Sequence, residues 1–401
     1  MKQKIRILSA ILCMACLFSN CSRRLPPETV PVTVPTTAET SVDITEESVS
    51  ETTAETTEET TEETEPELVF STPAVTERVV DKNGQLHVEG TKIVNESGEV
   101  VQLKGMSTYG MNGMYMFVNK DTVQTLAEDW GCSVIRLAMY TMGNSDGYIP
   151  NPEVYYQQMV DYVQLCIDQG VYVIIDWHIL FDGDPNEHKE EALDFFNRIS
   201  ELYGEYPNVI YEICNEPNGE CFGNPDETVN WENSIRPYAE DVVDVIRAND
   251  PDNIIIIGTA TWSQDVDEAS LNPLEGDNLM YTFHFYAGSH GQDHRDKVQT
   301  ALDNGLPVFC TEWGTTYDSG NGIVDTEESM LWLDFMDEND ISWCNWSIGG
   351  SVTESSNALK YASNILTPEQ KAQGHWPDQF ITRSGLFVRC MLLGEEYIPE
   401  E

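Results

Sequence analysis

Two hydrophobic patterns alternate along the chain from about Val79 onward. Short runs rich in Val and Ile are typical of strands, and longer segments with apolar residues at three-to-four spacing are typical of helices. The runs predict strands at 101–104, 134–139, 171–176, 209–214, 254–258, 280–284, 308–311 and 341–345. The spacing predicts helices at 122–130, 154–169, 190–203, 231–249, 292–303, 327–339 and 384–390. A short hairpin that turns at Ser97-Gly98 is predicted before them.

The alternation of strands with helices decides the fold class. Strands that are apolar throughout are typical of parallel sheets, because helices cover both faces. Eight such strands in sequence predict an α/β fold, a (β/α)8 TIM barrel that fills residues 79–401. The alternative is a doubly wound open sheet, but no Gly-rich phosphate loop follows any predicted strand.

The N-terminal region follows a different pattern. Residues 1–21 combine basic Lys2, Lys4 and Arg6 with an apolar run at 7–18, which predicts a secretory signal peptide. The stretch LFSNC ends at Cys21, where both simple cleavage and lipid attachment stay open. Residues 22–78 are rich in Thr, Glu and Pro, and predict a disordered acidic linker. We expect a protein that is secreted or anchored to the bacterial cell surface, without a transmembrane segment.

Charge and cysteine spacing narrow the classes of ligand. The formal net charge is -48, from 69 acidic and 21 basic residues. Such a chain repels nucleic acid and suits a neutral partner such as a polysaccharide, although solubility alone also explains the charge. The seven cysteines outside the signal show no C-x-x-C spacing, so we expect buried thiols, no metal and no cofactor.

Polar and aromatic residues follow the apolar runs at one end of nearly every predicted strand. In a barrel, the carboxyl ends of all strands meet at one rim, where the chemistry of such enzymes lies. The residues at this rim are Arg136, Tyr140, Asp176, His178, Asn215, Glu216, Trp262, His284, Tyr286, Glu312 and Trp346. A structural salt bridge explains one rim carboxylate but not this whole set.

Glu216 and Glu312 are the candidate catalytic pair. They end the fourth and seventh strands, which lie on opposite sides of a barrel. A glycosidase needs two facing carboxyl groups, one protonated to give a proton to the leaving oxygen and one ionised to attack or to activate water. The pair therefore predicts glycoside hydrolysis.

The sequence around these positions resembles the endoglucanases of glycoside hydrolase family 5, in particular the bacterial cellulase subfamily. The resemblance covers nearly all of residues 94–389. It rests on the stretches VQLKGMS, VIRLAMYT, YVIIDWHIL, YPNVIYEICNEPNG, IIIIGTATWSQD, YTFHFYAGSHGQ, TEWGT and NWS. The family implies a retaining double-displacement mechanism, with the two carboxyl groups about 5–5.5 Å apart.

The resemblance also implies roles for individual residues. Glu216 is similar to the family's acid/base and Glu312 to its nucleophile. Four residues are similar to supporting groups: Arg136 as the cation that keeps the nucleophile ionised, Asn215 at the sugar 2-hydroxyl, His284 near the acid/base, and Tyr286 on the nucleophile. Substrate contacts are implied for Tyr140 and His178, and for the sugar platforms Trp231, Trp262 and Trp346. Tyr109 stands where the family has a His and can still donate a hydrogen bond to the substrate, whereas the Trp that usually follows is missing.

The resemblance favours a secreted endo-β-1,4-glucanase, active as a monomer on a β-glucan polysaccharide. A β-mannanase or a broad-specificity β-glucanase on the same catalytic frame is the alternative, because the subsite walls decide the substrate. A lectin-like binder on a decayed barrel and a structural surface protein are the non-enzymatic readings. Neither of them explains the intact carboxylate pair.

Overall fold

The computed structural model describes residues 78–113, 117–142, 146–221, 224–226, 228–360 and 376–399. Apart from residue 78, the predicted signal peptide (1–21) and linker (22–78) lie outside these residues. Eight of the strands form a closed barrel. In chain order they are β1 (Lys104–Thr108), β2 (Val134–Tyr140), β3 (Tyr172–His178), β4 (Val209–Glu212), β5 (Ile255–Ile257), β6 (Leu279–Tyr286), β7 (Val308–Gly314) and β8 (Trp343–Ile348).

Each barrel strand pairs in parallel with the next, and β8 pairs with β1. The predicted (β/α)8 TIM barrel is therefore confirmed. The open-sheet alternative is wrong, because the pairing of β8 with β1 closes the sheet on itself.

Helices follow the strands as the spacing predicts. Those longer than eight residues are Lys120–Glu128, Pro152–Gln169, Lys189–Tyr203, Arg236–Arg247, Gln292–Asp303, Thr326–Glu338 and Arg383–Leu393. Their ends follow local chemistry: the Asn119 side chain accepts the Thr122 N–H at one start, and Gly170, with φ 79°, ends another. Among the described residues, none of the helices has the length and apolar character that crossing a membrane requires.

Three details of the barrel strands and helices differ from the sequence-based expectation. The first barrel strand begins at Lys104 rather than three residues earlier. The predicted helix 231–249 is divided into a π-helical turn, Trp231–Ile235, and an α-helix, Arg236–Arg247. Two short helices, Ala260–Ser263 and Val266–Ala269, follow β5 without having been predicted.

The predicted turn at Ser97-Gly98 is confirmed, because Val94 and Val100 form an antiparallel bridge across it. An earlier turn, which was not predicted, closes the N-terminal hairpin. Its strands are His87–Glu89 and Lys92–Val94, and they reverse direction across residues 90–91. The Ser97-Gly98 stretch makes the next turn, in which the Asn95 N–H donates to the Glu99 carbonyl. Both turns carry a left-handed glycine, φ 61° and 81°, so sequence alone did not separate them. Helix Val79–Asn83 precedes the hairpin.

Two further small sheets lie in the loops. Gly350–Ser351 pairs with Leu359–Lys360, and Glu220–Cys221 pairs with Asn224–Pro225. The six cysteines whose side chains are described are free thiols, and all but Cys390 are buried. This agrees with the expectation of buried core thiols.

The barrel interior has an apolar layer at the amino-terminal ends of its strands. Inward-facing residues such as Ile210, Ile254 and Phe309 pack there with Leu86 and Ile93 of the hairpin region. The hairpin thus closes this end of the barrel. Side chains point inward at every second residue of a strand, so the next inward positions lie toward the opposite, open end.

Candidate active site

The open end of the barrel holds a cavity of about 240 Å³. Glu216 and Glu312 line it, with only 9% and 5% of their surfaces exposed. Five more of the predicted site residues share its wall: Tyr109, Tyr140, His178, Tyr286 and Trp346. The cavity therefore brings together most of the rim positions that the sequence indicated.

Arg136 lies on β2 at the centre of a buried charge cluster. Its Nε and Nη2 donate to the two oxygens of Glu212 at 2.7 and 2.9 Å. Its Nη1 donates to Glu312 Oε2 at 3.0 Å, and its Nη2 lies 3.0 Å from Asp176 Oδ2. Burial opposes the charge, yet these carboxylates hold the pKa of Arg136 well above its ordinary value. The guanidinium is therefore a fixed cation beside Glu312.

Two donors hold the Glu312 carboxylate. Tyr286 donates its hydroxyl to Oε1 at 2.7 Å, and Arg136 donates to Oε2 at 3.0 Å. Each oxygen thus has one charged or hydroxyl donor, which stabilises the ionised form and fixes the rotamer. Burial, followed by the Glu312 and Glu216 charges, raises the pKa of Tyr286 well above its ordinary value, so its hydroxyl keeps the proton that it donates.

Glu216 has a different environment from Glu312. Its Oε1 lies 2.9 Å from Nδ1 of His284, and no cation contacts its carboxyl group directly among the described ion pairs. Burial raises the pKa of Glu216 to about 8, which the more distant Arg136 opposes and the Glu212 charge supports. Burial also lowers the pKa of His284 to about 4. Near neutral pH the His284 imidazole is therefore uncharged, and the carboxyl group of Glu216 is protonated.

One carboxyl oxygen of Glu216, one of Glu312 and one ring nitrogen of His284 all lie within 4.8 Å of one another. Three such atoms are also a geometric candidate for a metal site. Each residue already has hydrogen-bond partners, however: His284 uses both ring nitrogens, on Glu216 and Thr311, and Glu312 uses both oxygens. We therefore read the cluster as an acid-base pair and assign it no metal.

Asn215 and His178 form the floor beside Glu216. The Asn215 Oδ1 accepts from Arg136 at 2.7 Å, and its Nδ2 donates to the Ile179 carbonyl at 3.0 Å. The second Nδ2 proton faces Nε2 of His178 at 3.4 Å. His178 binds Asp176 Oδ2 through Nδ1 at 2.6 Å, and burial lowers the pKa of His178 to about 3. The imidazole is therefore neutral and has a fixed orientation.

Aromatic rings line the cavity on one side. The Trp346 ring stacks on His178, with centroids 5.4 Å apart and an interplanar angle of 11°. Tyr109 lies 5.5 Å from Trp346, and Tyr140 lies 4.3 Å from His178. Flat rings of this kind suit the apolar faces of a sugar ring.

Trp262 lies close to the Glu216 segment through its backbone. Its N–H donates to the Pro217 carbonyl at 3.2 Å, and the neighbouring Ser263 hydroxyl donates to the Asn215 carbonyl at 2.7 Å. Residues 261–263 all have φ near 55°, a left-handed conformation that is costly for residues with side chains. The Trp262 side chain is half-buried and is not among the residues that line the cavity.

The structure does not bring Trp231 to the cavity. Only 2% of its surface is exposed, its Nε1 donates to the Asn272 carbonyl at 2.8 Å, and its ring packs edge-on against Tyr281 at 5.5 Å. It lies in the hydrophobic core between strands and helices. The expectation of a sugar platform here is corrected, because a ring with no open face cannot receive a sugar.

Three buried groups of the site received no role from the sequence: Glu212, Thr311 and Ser107. Glu212 accepts two bonds from Arg136, Thr311 bonds both Glu212 and His284, and the Ser107 hydroxyl lies 3.3 Å from Arg136. Asp176 was predicted at the end of a strand, but its ion pair with Arg136 was not predicted. The available signal was a carboxylate inside the apolar run VIYEIC, two residues after the inward-facing Ile210.

Comparisons with known proteins agree with this geometry. Residues 94–352 match the family described as cellulase (glycosyl hydrolase family 5). Endoglucanase A of Evansella cellulosilytica is 50% identical over 329 residues, which are 82% of this chain and 64% of that protein. An endoglucanase of Clostridium saccharobutylicum is 49% identical over 311 residues, 78% of this chain and 65% of that protein. This chain thus spans less than two thirds of the length of either relative.

A solved structure is similar over the whole barrel. It is the catalytic domain of the Thermobifida fusca endoglucanase Cel5A, determined as a Glu-to-Gln variant in complex with cellotetraose. The two chains are 35% identical, with a TM-score of 0.71 over 79% of this chain and 100% of that one.

Proposed function

The chain belongs to the cellulase family known as glycosyl hydrolase family 5, and from this membership we propose that it is an endo-β-1,4-glucanase. Its substrate would be the internal β-1,4-glucosidic bonds of cellulose or of a soluble β-glucan. The observation that carries the proposal is the carboxyl pair, Glu216 and Glu312, whose nearest oxygens lie within 4.8 Å of each other. Inverting glycosidases hold their carboxyl groups about 6.5–9.5 Å apart, so this spacing supports retention of configuration.

In the first step, Glu312 attacks the anomeric carbon while Glu216 gives its proton to the glycosidic oxygen. The sugar–oxygen bond breaks, the aglycone leaves as an alcohol, and a covalent glycosyl-enzyme forms on Glu312. The environments fit these roles. Arg136 and Tyr286 each donate a hydrogen bond to Glu312, whereas burial raises the pKa of Glu216 to about 8 and so keeps it protonated at neutral pH.

In the second step, Glu216 is a carboxylate and takes a proton from the attacking water. The hydroxide equivalent displaces Glu312 from the anomeric carbon, which restores both groups to their starting protonation states. Arg136 and Tyr286 stabilise the departing carboxylate of Glu312 through the hydrogen bonds that they already make. No cofactor is needed for either step.

The remaining rim residues would bind the sugar chain. The Nδ2 proton of Asn215 that faces His178 Nε2 at 3.4 Å makes the longer of the two Nδ2 contacts, and in the complex it would donate to the 2-hydroxyl of the reacting sugar. Trp346 and Trp262 offer flat faces, and Tyr109 and Tyr140 offer hydroxyl groups at the edges.

The alternative substrate is a mannan or a broader range of β-glucans. The catalytic pair does not discriminate between them, because only the subsite walls contact the sugar hydroxyls that differ. The relatives described above are endoglucanases, which favours glucan. A lectin-like binder is disfavoured by the complete set of groups around Glu216 and Glu312.

Hydrolysis of carboxymethylcellulose and of a galactomannan by the full chain tests the proposal. We expect release of reducing ends from carboxymethylcellulose, with the β-anomer appearing first in proton NMR spectra of cellotetraose hydrolysis. The matched control is Glu216→Gln, which lacks the transferable proton. Activity on galactomannan alone would identify the enzyme as a mannanase with the same mechanism. Activity on neither polymer would favour the lectin-like binder.

We also propose that the protein is exported as a monomer. The support for export is the basic and apolar pattern of residues 1–21, followed by the acidic segment 22–78. Lipid attachment at Cys21 and simple cleavage predict different masses for the exported chain. Mass spectrometry of the protein from a bacterial host distinguishes them, and light scattering measures its oligomeric state.

A further inference from the structure

A continuous chain of buried hydrogen bonds runs beneath the cavity from Glu212 to Glu216. The Thr311 Oγ1 lies 2.8 Å from Glu212 Oε1 and 2.9 Å from Nε2 of His284. Nδ1 of the same imidazole lies 2.9 Å from Glu216 Oε1. A second hydroxyl, that of Thr282, lies 2.6 Å from the Thr311 Oγ1. Thr311 and His284 thus connect the carboxyl groups of Glu212 and Glu216 through one hydroxyl and one ring, and Thr282 contacts the same hydroxyl.

The direction of each bond follows from counting protons. Glu212 accepts two hydrogen bonds from Arg136 and so is held as a carboxylate, which can only accept. The single hydroxyl proton of Thr311 is therefore directed to Glu212. Thr282 accepts the Thr311 backbone N–H at 3.2 Å and uses its own proton on Thr311. The Thr311 oxygen has no proton left for the ring.

The ring must consequently donate to Thr311. His284 is buried and neutral, so it carries one proton, and the contact with Thr311 places that proton on Nε2. Nδ1 is then a bare acceptor, and a bare acceptor 2.9 Å from a carboxyl oxygen requires a proton on that oxygen. The proton count thus ends on Glu216.

We infer that Thr311, backed by Glu212, fixes His284 as the tautomer protonated on Nε2 and thereby holds the acid proton on Glu216. Thr311 is a positioning residue, since it acts through His284 and lies below the cavity. This inference rests on the proposed function, because a glycosidase needs that proton for its first step.

The same arrangement serves the second step. Once Glu216 has given up its proton, its carboxylate faces the lone pair of Nδ1, and the two repel each other. The repulsion is relieved when Glu216 takes a proton from the attacking water. A histidine of the opposite tautomer would instead donate to the Glu216 carboxylate and lower the pKa of Glu216, so that less of it would be protonated at neutral pH and it would be a weaker base in the second step.

Other charged and titratable groups also face this pair. They are Arg136, Tyr140, Asp176, His178, Glu212, Tyr286 and Glu312. A Thr311 variant changes none of these side chains and removes only the hydroxyl that contacts His284, Glu212 and Thr282. The raised pKa of Glu216, about 8 and due first to burial, agrees with a retained proton.

The kinetic test compares Thr311→Val with Thr311→Ser in the full chain. Val keeps the shape without the hydroxyl, and Ser keeps the hydroxyl. We expect Val to lower kcat/KM on carboxymethylcellulose about tenfold, and to shift the alkaline limb of its pH profile about one pH unit lower. On 2,4-dinitrophenyl β-cellobioside, whose leaving group needs no proton, kcat/KM should stay within about twofold. Ser should behave as the unaltered protein on both substrates.

Equal losses on both substrates with an unshifted alkaline limb would overturn the inference, because a general packing defect acts in that way. The second measurement needs no turnover. Nitrogen NMR of 15N-histidine protein, assigned with a His284→Gln variant, should show a protonated Nε2 and an unprotonated Nδ1 for His284. The reverse assignment would refute the tautomer even if the enzyme is active. A protein inactive on every glucan but with the expected spectrum would refute the proposed function alone.

Discussion

The two layers inside the barrel are built on the same strands but from opposite kinds of residue. At the amino-terminal end, Ile210 and Phe309 pack in an apolar layer. Two residues further along the same strands, Glu212 and Thr311 belong to the polar layer around Arg136. Both layers are fully buried, so burial alone does not distinguish structure from chemistry. The layers differ in how their buried groups are stabilised. An apolar side chain needs only van der Waals contact with its neighbours, whereas a polar side chain needs a hydrogen bond or ion pair with a specific partner.

This difference has an energetic consequence. The apolar layer gains free energy from every buried methylene, at about 0.8 kcal/mol each. The polar layer desolvates three carboxylates and one guanidinium, and it recovers that cost only through specific bonds. The first layer should therefore tolerate conservative changes and affect stability, whereas the second should affect activity much more than folding.

The largest expected effect follows from changing the polar layer at Glu312. Glu312→Gln keeps the volume of the side chain but removes the nucleophile, so we expect kcat to fall by at least about 10³-fold. The far-ultraviolet circular dichroism and the affinity for cellotetraose should be retained. Calorimetric titration and a reducing-end assay measure the two properties.

Glu338→Gln is the matched control, because Glu338 is exposed on the helix Thr326–Glu338, far from the described site. It should leave kcat unchanged. Normal turnover by Glu312→Gln would show that Glu312 is not the nucleophile. It would also contradict the expectation that changes in the polar layer affect activity more than folding.

The apolar layer should respond in the opposite way. Ile254→Ala removes a side chain that is 1% exposed and should lower the free energy of unfolding by about 3 kcal/mol. Because Ile254 lies at the closed end, kcat/KM per folded molecule should stay within about twofold. Urea unfolding and an active-site titration separate the two quantities. The same substitution at Ile398, which is 77% exposed, should change stability by less than about 0.5 kcal/mol. A tenfold loss of kcat/KM in Ile254→Ala would show that the layers are coupled.

Most of the fold and the catalytic pair could be predicted from sequence, because continuous apolar runs and strand-end polar residues are local signals. Only part of the inward-facing polar layer could be predicted from the sequence. Glu212 sits within an apolar run, and its partner Arg136 is 76 residues away in the chain. Long-range pairing of this kind is set by barrel closure, which the pattern of one strand does not contain.

The tryptophans show a second limit of local signals. Trp231 and Trp262 look equivalent in sequence, as an aromatic residue near a strand or helix end. Only the neighbours decide their roles: Trp231 packs on Tyr281, while Trp262 is held by the Pro217 carbonyl in a left-handed segment. No residue-by-residue pattern predicts three successive residues with φ near 55°.

Substitutions of these two tryptophans test whether one binds sugar and the other packs in the core, and their expected effects are of intermediate size. Trp262→Ala should raise KM for carboxymethylcellulose about tenfold through loss of a sugar platform, with little change in Tm. Trp231→Phe should lower Tm and leave KM unchanged, because it loses core packing and the bond to Asn272. Kinetics and thermal unfolding of both variants measure this. A larger KM effect for Trp231→Phe than for Trp262→Ala would reverse our assignment.

The smallest expected effect concerns how the stability of each layer depends on pH. Burial raises the pKa of Glu216 to about 8, well above the ordinary value for a Glu. The folded state therefore binds this proton more tightly than the unfolded state, and the stability so gained is lost as pH rises toward 8. Glu216→Gln has no such proton, so its Tm relative to the unaltered protein should rise by about 3 °C between pH 7 and pH 9.

Titration of His178 and His284 does not contribute to the change in Tm between pH 7 and pH 9, because burial lowers the pKa of His178 to about 3 and that of His284 to about 4. The apolar layer supplies the control: the Tm deficit of Ile254→Ala should be the same at both pH values, since no titrating group is lost. Scanning calorimetry of the three proteins at the two pH values makes the measurement. If Glu216→Gln shows the same Tm difference at pH 7 and pH 9, Glu216 is ionised in the folded protein. The polar layer would then not hold the acid proton that the proposed first step requires.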